Sequence, residues 1–297
     1  MLCNYLSKTS IYQTYHFAMK NHIFLSLLIS FLIFNSKCLA QDKRIDTISF
    51  SMKSSLLVIK GAINGKETLF AFDTGAYAGV LNSKQVAANN ITNTGNKSVR
   101  DSNNKNKKMG RGKINEISIG SFSFKNLESV IFDMPFLSCN ELYLLGGDVI
   151  NKLNWKFDFK NNIAYLSKTA FIPTNDMTAL PVQFINNRHF ADLEVNGKLV
   201  RYLIDFGYAG VLDAPENEVN FAKIKTQKNE QSLVLHSQST SMGLGSMVVG
   251  KEVSTFFVDS ITLGQATFKN IKVNVKDNVD KKIGLKFFKE NLSSIIL

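Results

Sequence analysis

Leu69-Phe70-Ala71-Phe72-Asp73-Thr74-Gly75-Ala76 and, further along, Leu203-Ile204-Asp205-Phe206-Gly207-Tyr208-Ala209-Gly210-Val211-Leu212 decide how this chain reads. In the first stretch an apolar strand runs into an acid, a hydroxyl residue, a glycine and a small residue. That order sets a carboxylate at a tight strand-to-loop turn, where glycine permits positive φ and a close backbone approach. A lone Asp-Thr-Gly says little, because Asp-x-Gly is an ordinary turn sequence. The second stretch gives it weight: apolar-Asp-x-Gly returns there with Gly210-Val211-Leu212 behind it, as Gly79-Val80-Leu81 follows the first.

The repeat extends in both directions. Asn64-Gly65 and Asn196-Gly197 are hairpin-turn signals lying 196 − 64 = 132 residues apart, and the two aspartates are separated by 205 − 73 = 132. Equal offsets of unrelated features point to an internal duplication. Met109-Gly110-Arg111-Gly112 answers Met242-Gly243-Leu244-Gly245, and Ile119-Gly120…Asn126 answers Leu263-Gly264…Asn270. Apolar strands ending in Asp133 and Asp277 follow. Leu144-Leu145-Gly146 answers Lys282-Ile283-Gly284.

Between these marks lie short apolar runs bounded by Gly or Asn turns, the pattern of small β-barrels or sandwiches. Residues 50–60 read as one strand, Thr68 to Phe72 as the strand returning from the Asn64-Gly65 turn. Val182 to Phe184, Phe190 to Val195 and Val200 to Ile204 repeat that plan. Helix is expected only after Ser83 and over Asp148 to Leu153. The expected fold is all-β, with an N-terminal lobe over 41–168, a linker over 169–178 and a C-terminal lobe over 179–297.

The first forty residues read as a targeting segment. Lys20 and His22 precede the apolar run Ile23 to Phe34, and Cys38-Leu39-Ala40 leads into polar Gln41-Asp42-Lys43. That order predicts a signal peptide cleaved after Ala40, with Met19 a possible true start, and hence export to periplasm, outer surface or medium. The apolar run is short for a membrane span, so no stable span is expected after cleavage. A lipoprotein anchored through Cys38 is the weaker reading. Cleavage removes Lys8, Lys20 and Lys37 and no acid, so the net charge falls from +11 to 11 − 3 = +8.

Much of the remaining excess sits in Lys97 to Lys113. That run lacks interleaved aromatics for base stacking and reads as a solvated loop, so no nucleic-acid partner is expected. Cys139 is the one cysteine left after cleavage, which excludes an intramolecular disulfide. It is expected to be buried and inert. No His-Glu-x-x-His, Cys/His cluster or Gly-x-Ser-x-Gly elbow occurs, so no metal and no cofactor is expected. Asp205-Phe206-Gly207 spells a kinase triplet, but the partner motifs of a kinase are missing.

On Asp73-Thr74-Gly75-Ala76, Leu144-Leu145-Gly146 and their echoes, residues 50–297 resemble the retropepsin-like and pepsin-like aspartic proteases. The nearest type is the two-lobed exported bacterial version. The resemblance implies two retropepsin-like β-barrel lobes about a pseudo-twofold axis, with Asp73 and Asp205 as the catalytic pair. Thr74, Gly75, Ala76, Phe206 and Gly207 would support the catalytic loops. Leu145-Gly146 and Ile283-Gly284 would pack beside them. Two carboxylates held close cannot both ionise, so one can act as base on water while the other donates a proton to a peptide carbonyl.

The implied function is an exported aspartic endopeptidase of peptide or protein substrates, a monomer whose lobes form an intramolecular pseudo-dimer. Phe206 stands where the family has Thr or Ser, and the second loop is one residue shorter. Thr74 can still make its half of the family's hydroxyl tie between the loops, whereas Phe206 is expected to make none, which leaves open a degenerate peptide-binding protein, or activity of lobe one through homodimerisation. Asn93 to Lys108 sits where the family has a flap over its substrate. It reads equally as a lid or as a surface loop, with Lys223 to Ser241 as its counterpart.

Overall fold

A computed structural model describes residues 44–297, apart from 54, 101–105, 196, 216–234, 243–246 and 277–280. The expected signal peptide, Asn196, Gly243-Leu244-Gly245 and Asp277 lie outside the described residues. So does most of the Lys223 to Ser241 segment.

The chain is all-β and two-lobed, and the duplication is written into its hydrogen bonding. The first lobe has β1 (Ile45–Lys53), β2 (Leu56–Ile63), β3 (Lys66–Phe72), β4 (Val80–Leu81) and β5 (Thr92–Arg100). It continues through β6 (Asn106–Ile119), β7 (Phe122–Ile131), β8 (Leu142–Leu145), β9 (Asn154–Asp158) and β10 (Ile163–Ser167). The second has β11 (Val182–Ile185), β12 (Arg188–Val195), β13 (Lys198–Asp205) and β14 (Leu212–Pro215). Then come β15 (Leu235–Met242), β16 (Met247–Leu263), β17 (Ala266–Lys276), β18 (Lys282–Gly284) and β19 (Ser294–Ile296).

Neighbouring strands in the first lobe run β2-β3-β8-β4-β7-β6-β5, and in the second β12-β13-β18-β14-β17-β16-β15. The two orders are the same list displaced. Each curls on itself through one further pairing, β2 with β6 and β12 with β16, so that both faces of the sheet meet a shared interior.

Local geometry repeats as well. Asn64 and Gly65 have φ of 49° and 79°, the left-handed pair that a two-residue hairpin demands, and Gly197 has φ of 80°. Asn126 and Asn270 lie at φ 56° and 55°, one on β7 and one on β17. At each, one cross-strand pair drops out of an otherwise constant register, between Ile114↔Leu127 and Glu116↔Lys125 and between Val258↔Ile271 and Ser260↔Lys269. Asparagine tolerates this conformation better than branched residues do, so the same local irregularity recurs in both long hairpins.

Several expectations need correction. Residues 50–60 do not form one strand, because the chain turns at Ser55 (φ 65°) and β1 and β2 pair with each other. Helix α1 (Ser83–Ala88) forms where expected, held by a capping box between Asn82 and Gln85. Helix α2 (Pro135–Cys139) was not expected. Cys139 sits on its outer side while Leu137 faces the core, so the thiol is exposed rather than buried. Helix α3 (Gly147–Ile150) is shorter than anticipated, and α4 (Leu285–Asn291) follows Gly284 at the corresponding place. Asn93 to Lys108 is not a coil: β5 and β6 pair over Thr92 to Arg100, with the tip outside the described residues.

One large apolar core spans both lobes. At its centre Phe72, Trp155, Phe157, Phe206 and Phe288 are almost fully buried. Each such ring contributes roughly 1.5–3 kcal/mol by burial, and well-oriented ring pairs add about 0.5–1.5 kcal/mol. The lobes are also joined through the backbone. β19 pairs antiparallel with β9, so a strand that follows the second lobe completes the first lobe's sheet as β19-β9-β10-β1. Among the described residues no helix is long and apolar enough to cross a membrane.

Candidate active site

Asp73 follows directly on β3, and Asp205 is the last residue of β13. Both strands gain a parallel partner at their ends: β3 pairs with β8 through Phe72↔Leu145, and β13 with β18 through Ile204↔Ile283 and Asp205↔Gly284. The apolar-Gly segments therefore pack beside the aspartate turns. The Gly147 N–H donates to the Ala76 carbonyl at 2.9 Å, and the Leu285 N–H to the Tyr208 carbonyl at 3.0 Å. A side chain on Gly146 would strike the backbone of Ala78, and one on Gly284 the backbone of Gly210. These glycines are spacers that let loop and strand touch.

The aspartates face each other across the lobe boundary. A Cβ on Gly75 would stand 2.5 Å from the Asp205 carboxyl carbon, and one on Gly207 would collide with the Asp73 carboxyl group. Each carboxylate thus lies over the glycine of the opposite loop. Neither glycine is among the positive-φ residues, so close approach, not left-handed backbone, is what these positions require. Asp73 Oδ1 accepts the N–H groups of Gly75 at 2.8 Å and Ala76 at 3.0 Å. Burial, followed by repulsion from Asp205, pushes the Asp73 carboxyl up to about 8, against the opposing influence of Lys282 and those two N–H groups.

Thr74 ties the loops together. Its buried hydroxyl donates to the Ile204 carbonyl at 2.7 Å and accepts the Phe206 N–H at 3.0 Å. The expectation that Phe206 takes no part in the tie is corrected: its backbone does. Its ring instead occupies the aromatic core, 6.1 Å from Phe72, 5.9 Å from Phe157 and 5.4 Å from Phe288 between centroids. The second lobe thus offers an apolar ring at the position where the first offers the Thr74 hydroxyl.

A polar cluster beside Asp205 escaped the sequence reading. The Lys282 Nζ lies 3.3 Å from Asp205 Oδ2, both side chains largely shielded from water. The Tyr208 hydroxyl donates to Asp213, and Asn274 Nδ2 donates to both Tyr208 and Asp213, at 3.0 and 3.2 Å. Burial alone would lower the Lys282 ammonium; the carboxylates of Asp205 and Asp213 outweigh this and raise it. Burial and the charge of Asp213 push the Tyr208 phenol up. The available signal was in the repeat: Lys282 occupies the slot of apolar Leu144, and a lysine in a core slot needs an acid.

A cavity of about 500 Å³ opens beside the first loop, lined by Tyr77, Ala78, Gly147, Asp148, Lys152 and Phe184 among others. Burial raises the Asp148 carboxyl to about 6. Among the described residues no group of three or more His, Cys, Asp or Glu side chains could hold a metal ion.

Residues 59–149 match the model of a family described as "Aspartyl protease". The matched residues lie within the first lobe and include Asp73-Thr74-Gly75 but not Asp205. A crystal structure of a retropepsin-like aspartic protease from Rickettsia conorii is 19% identical, covering 42% of this chain and 92% of that one with a TM-score of 0.31. No curated protein matches the sequence.

Proposed function

We propose that the chain is an aspartic endopeptidase that hydrolyses peptide bonds with Asp73 and Asp205 acting on one water. The observation that carries this reading is reciprocal: each carboxylate sits over the glycine of the other lobe's loop, so the two converge on one point. A carboxyl held near 8 keeps a proton at neutral pH, which supplies the acid that the chemistry needs beside a carboxylate base. The family model over the first lobe supports the same class. Since one chain brings both aspartates, a single chain is expected to suffice. The β5–β6 hairpin is suited to cover an extended substrate paired in β-fashion. The apolar leader over residues 1–40 supports export.

Two observations favour a second reading, a peptide-binding protein without turnover: the missing hydroxyl at Phe206 and the Lys282–Asp205 ion pair. A pool of diverse peptides incubated across about pH 3 to 8 with the chain from Gln41 separates the two. Cleavage abolished by both Asp73→Ala and Asp205→Ala supports the peptidase. Binding of peptides without cleavage at any pH overturns it.

A further inference from the structure

The site holds a third charge that its first lobe does not repeat. β18 lies on β13 as β8 lies on β3, so Lys282 takes the position of Leu144. Its ammonium stands 3.3 Å from Asp205 Oδ2. The charged and titratable groups around it are Asp205 from β13, Asp213 from β14, Tyr208 from the intervening loop and Asp73 from the other lobe. Asp213 is engaged by Tyr208 and Asn274. Among the described residues no cation forms an ion pair with Asp73. The ion pair therefore breaks the symmetry that two facing aspartates would otherwise have.

Resting on the peptidase reading, we propose that Lys282 is a positioning residue that fixes the roles of the pair. Asp205 is the carboxylate that takes a proton from the attacking water, and Asp73 carries the shared proton. In the first step the water oxygen bonds to the peptide carbonyl carbon as its proton passes to Asp205. The carbonyl π pair moves onto oxygen, which takes the Asp73 proton. In the second step Asp205 returns its proton to the amide nitrogen and the C–N bond breaks. One hydroxyl of the tetrahedral intermediate gives its proton back to Asp73 as the carbonyl re-forms. The cycle consumes one water and restores both side chains.

A cation in direct contact with a carboxylate favours its charged form, whereas the buried partner, on which the same cation acts only from farther away, retains the proton. The proton on Asp73, with its carboxyl near 8, agrees with that division. Because the two groups interact strongly, the proton must be followed at each site and not inferred from a single limb of a rate profile.

Carbon-13 NMR of labelled aspartate carboxyls reads this directly in the full chain, with Asp73→Asn and Asp205→Asn assigning the signals. Between about pH 5 and 7 the wild type is expected to show the proton on Asp73. In Lys282→Met the proton is expected to spread over both signals, and Lys282→Arg to restore the division. In cleavage assays Lys282→Met is expected to move the acid limb upward by about one pH unit. Asp73 ionising before Asp205 in the wild type overturns the proposal, as does an unchanged pair of signals in folded Lys282→Met. The wild-type spectrum decides the assignment even if Lys282→Met does not fold. The expected spectrum without cleavage would sink the peptidase reading and leave the role of Lys282 standing; cleavage with the opposite proton order would do the reverse.

Discussion

The hydroxyl of Thr74 in one lobe accepts the backbone N–H of Phe206 in the other at 3.0 Å, while donating to the carbonyl two residues earlier in that same strand. One side chain thus satisfies two buried backbone groups across the lobe boundary and sets the separation of the aspartates that precede these residues. In a symmetric version a hydroxyl at 206 would return the favour. Here the hydroxyl tie between the two aspartate loops comes from Thr74.

Replacing Thr74 by Val keeps the shape and strands both backbone partners. Unfolding in denaturant is expected to show a loss of about 2–4 kcal/mol, with Thr74→Ser near wild type. Equal stabilities for Val and Ser would mean that the hydroxyl carries nothing.

Placing at 206 the hydroxyl residue found in the first loop is expected to harm this protein. Phe206 is fully buried among aromatic rings, and truncating it to Thr leaves a cavity and a hydroxyl inside it. A destabilisation of about 3–5 kcal/mol is expected by calorimetry or denaturant titration. A stable, more active Phe206→Thr variant would show that the ring contributes little to joining the lobes.

The Asp73 carboxyl makes stability depend on pH in the direction opposite to a salt-bridged acid. At about 8 in the fold and about 3.9 unfolded, it binds more protons folded than unfolded between those values. Its contribution is full below about pH 4 and is lost as pH rises through about 8. Asp73→Asn removes the slope, so its melting temperature is expected to pull ahead of the wild type by at least ~3 °C at alkaline pH and to approach it near pH 4. A constant difference across pH would contradict the assignment.

Asn126 occupies left-handed backbone within a long hairpin. Asn126→Gly is expected to be close to neutral, whereas Asn126→Val is expected to cost about 1–3 kcal/mol, read by thermal melts. Asn270 at the matching position is expected to respond alike.

Fold and site were legible to different depths. The duplication came from spacing: paired Asn-Gly turns, paired aspartates and the apolar-Gly segments kept their order, and order is what sheet topology follows. Asp73, Asp205 and Thr74 were legible because a turn motif fixes backbone, and backbone places those groups. The break between β1 and β2 was not, since Phe50-Ser51-Met52-Lys53 alternates as a strand does and no glycine or proline marks Ser55. Nor was the exposure of Cys139, which depends on the outward side of a five-residue helix. Tyr208 and Asp213 stand more than sixty residues before Asn274 and Lys282 and meet them only when β14, β17 and β18 pair, so the one trace of their cluster in the sequence is the lysine at the slot of Leu144. The role of Phe206 lay between: its departure from pattern was plain, and only packing showed what replaced the hydroxyl.

The pairing of β19 with β9 has a consequence in time. Ser294–Ile296 emerges from the ribosome after the entire second lobe, yet it supplies the outer strand beside Asn154–Asp158 of the first. Until then β9 presents an open edge, and the first sheet waits unfinished while more than a hundred later residues are made. The first lobe therefore gains its outer strand only once the second has been made, which couples the folding of the two.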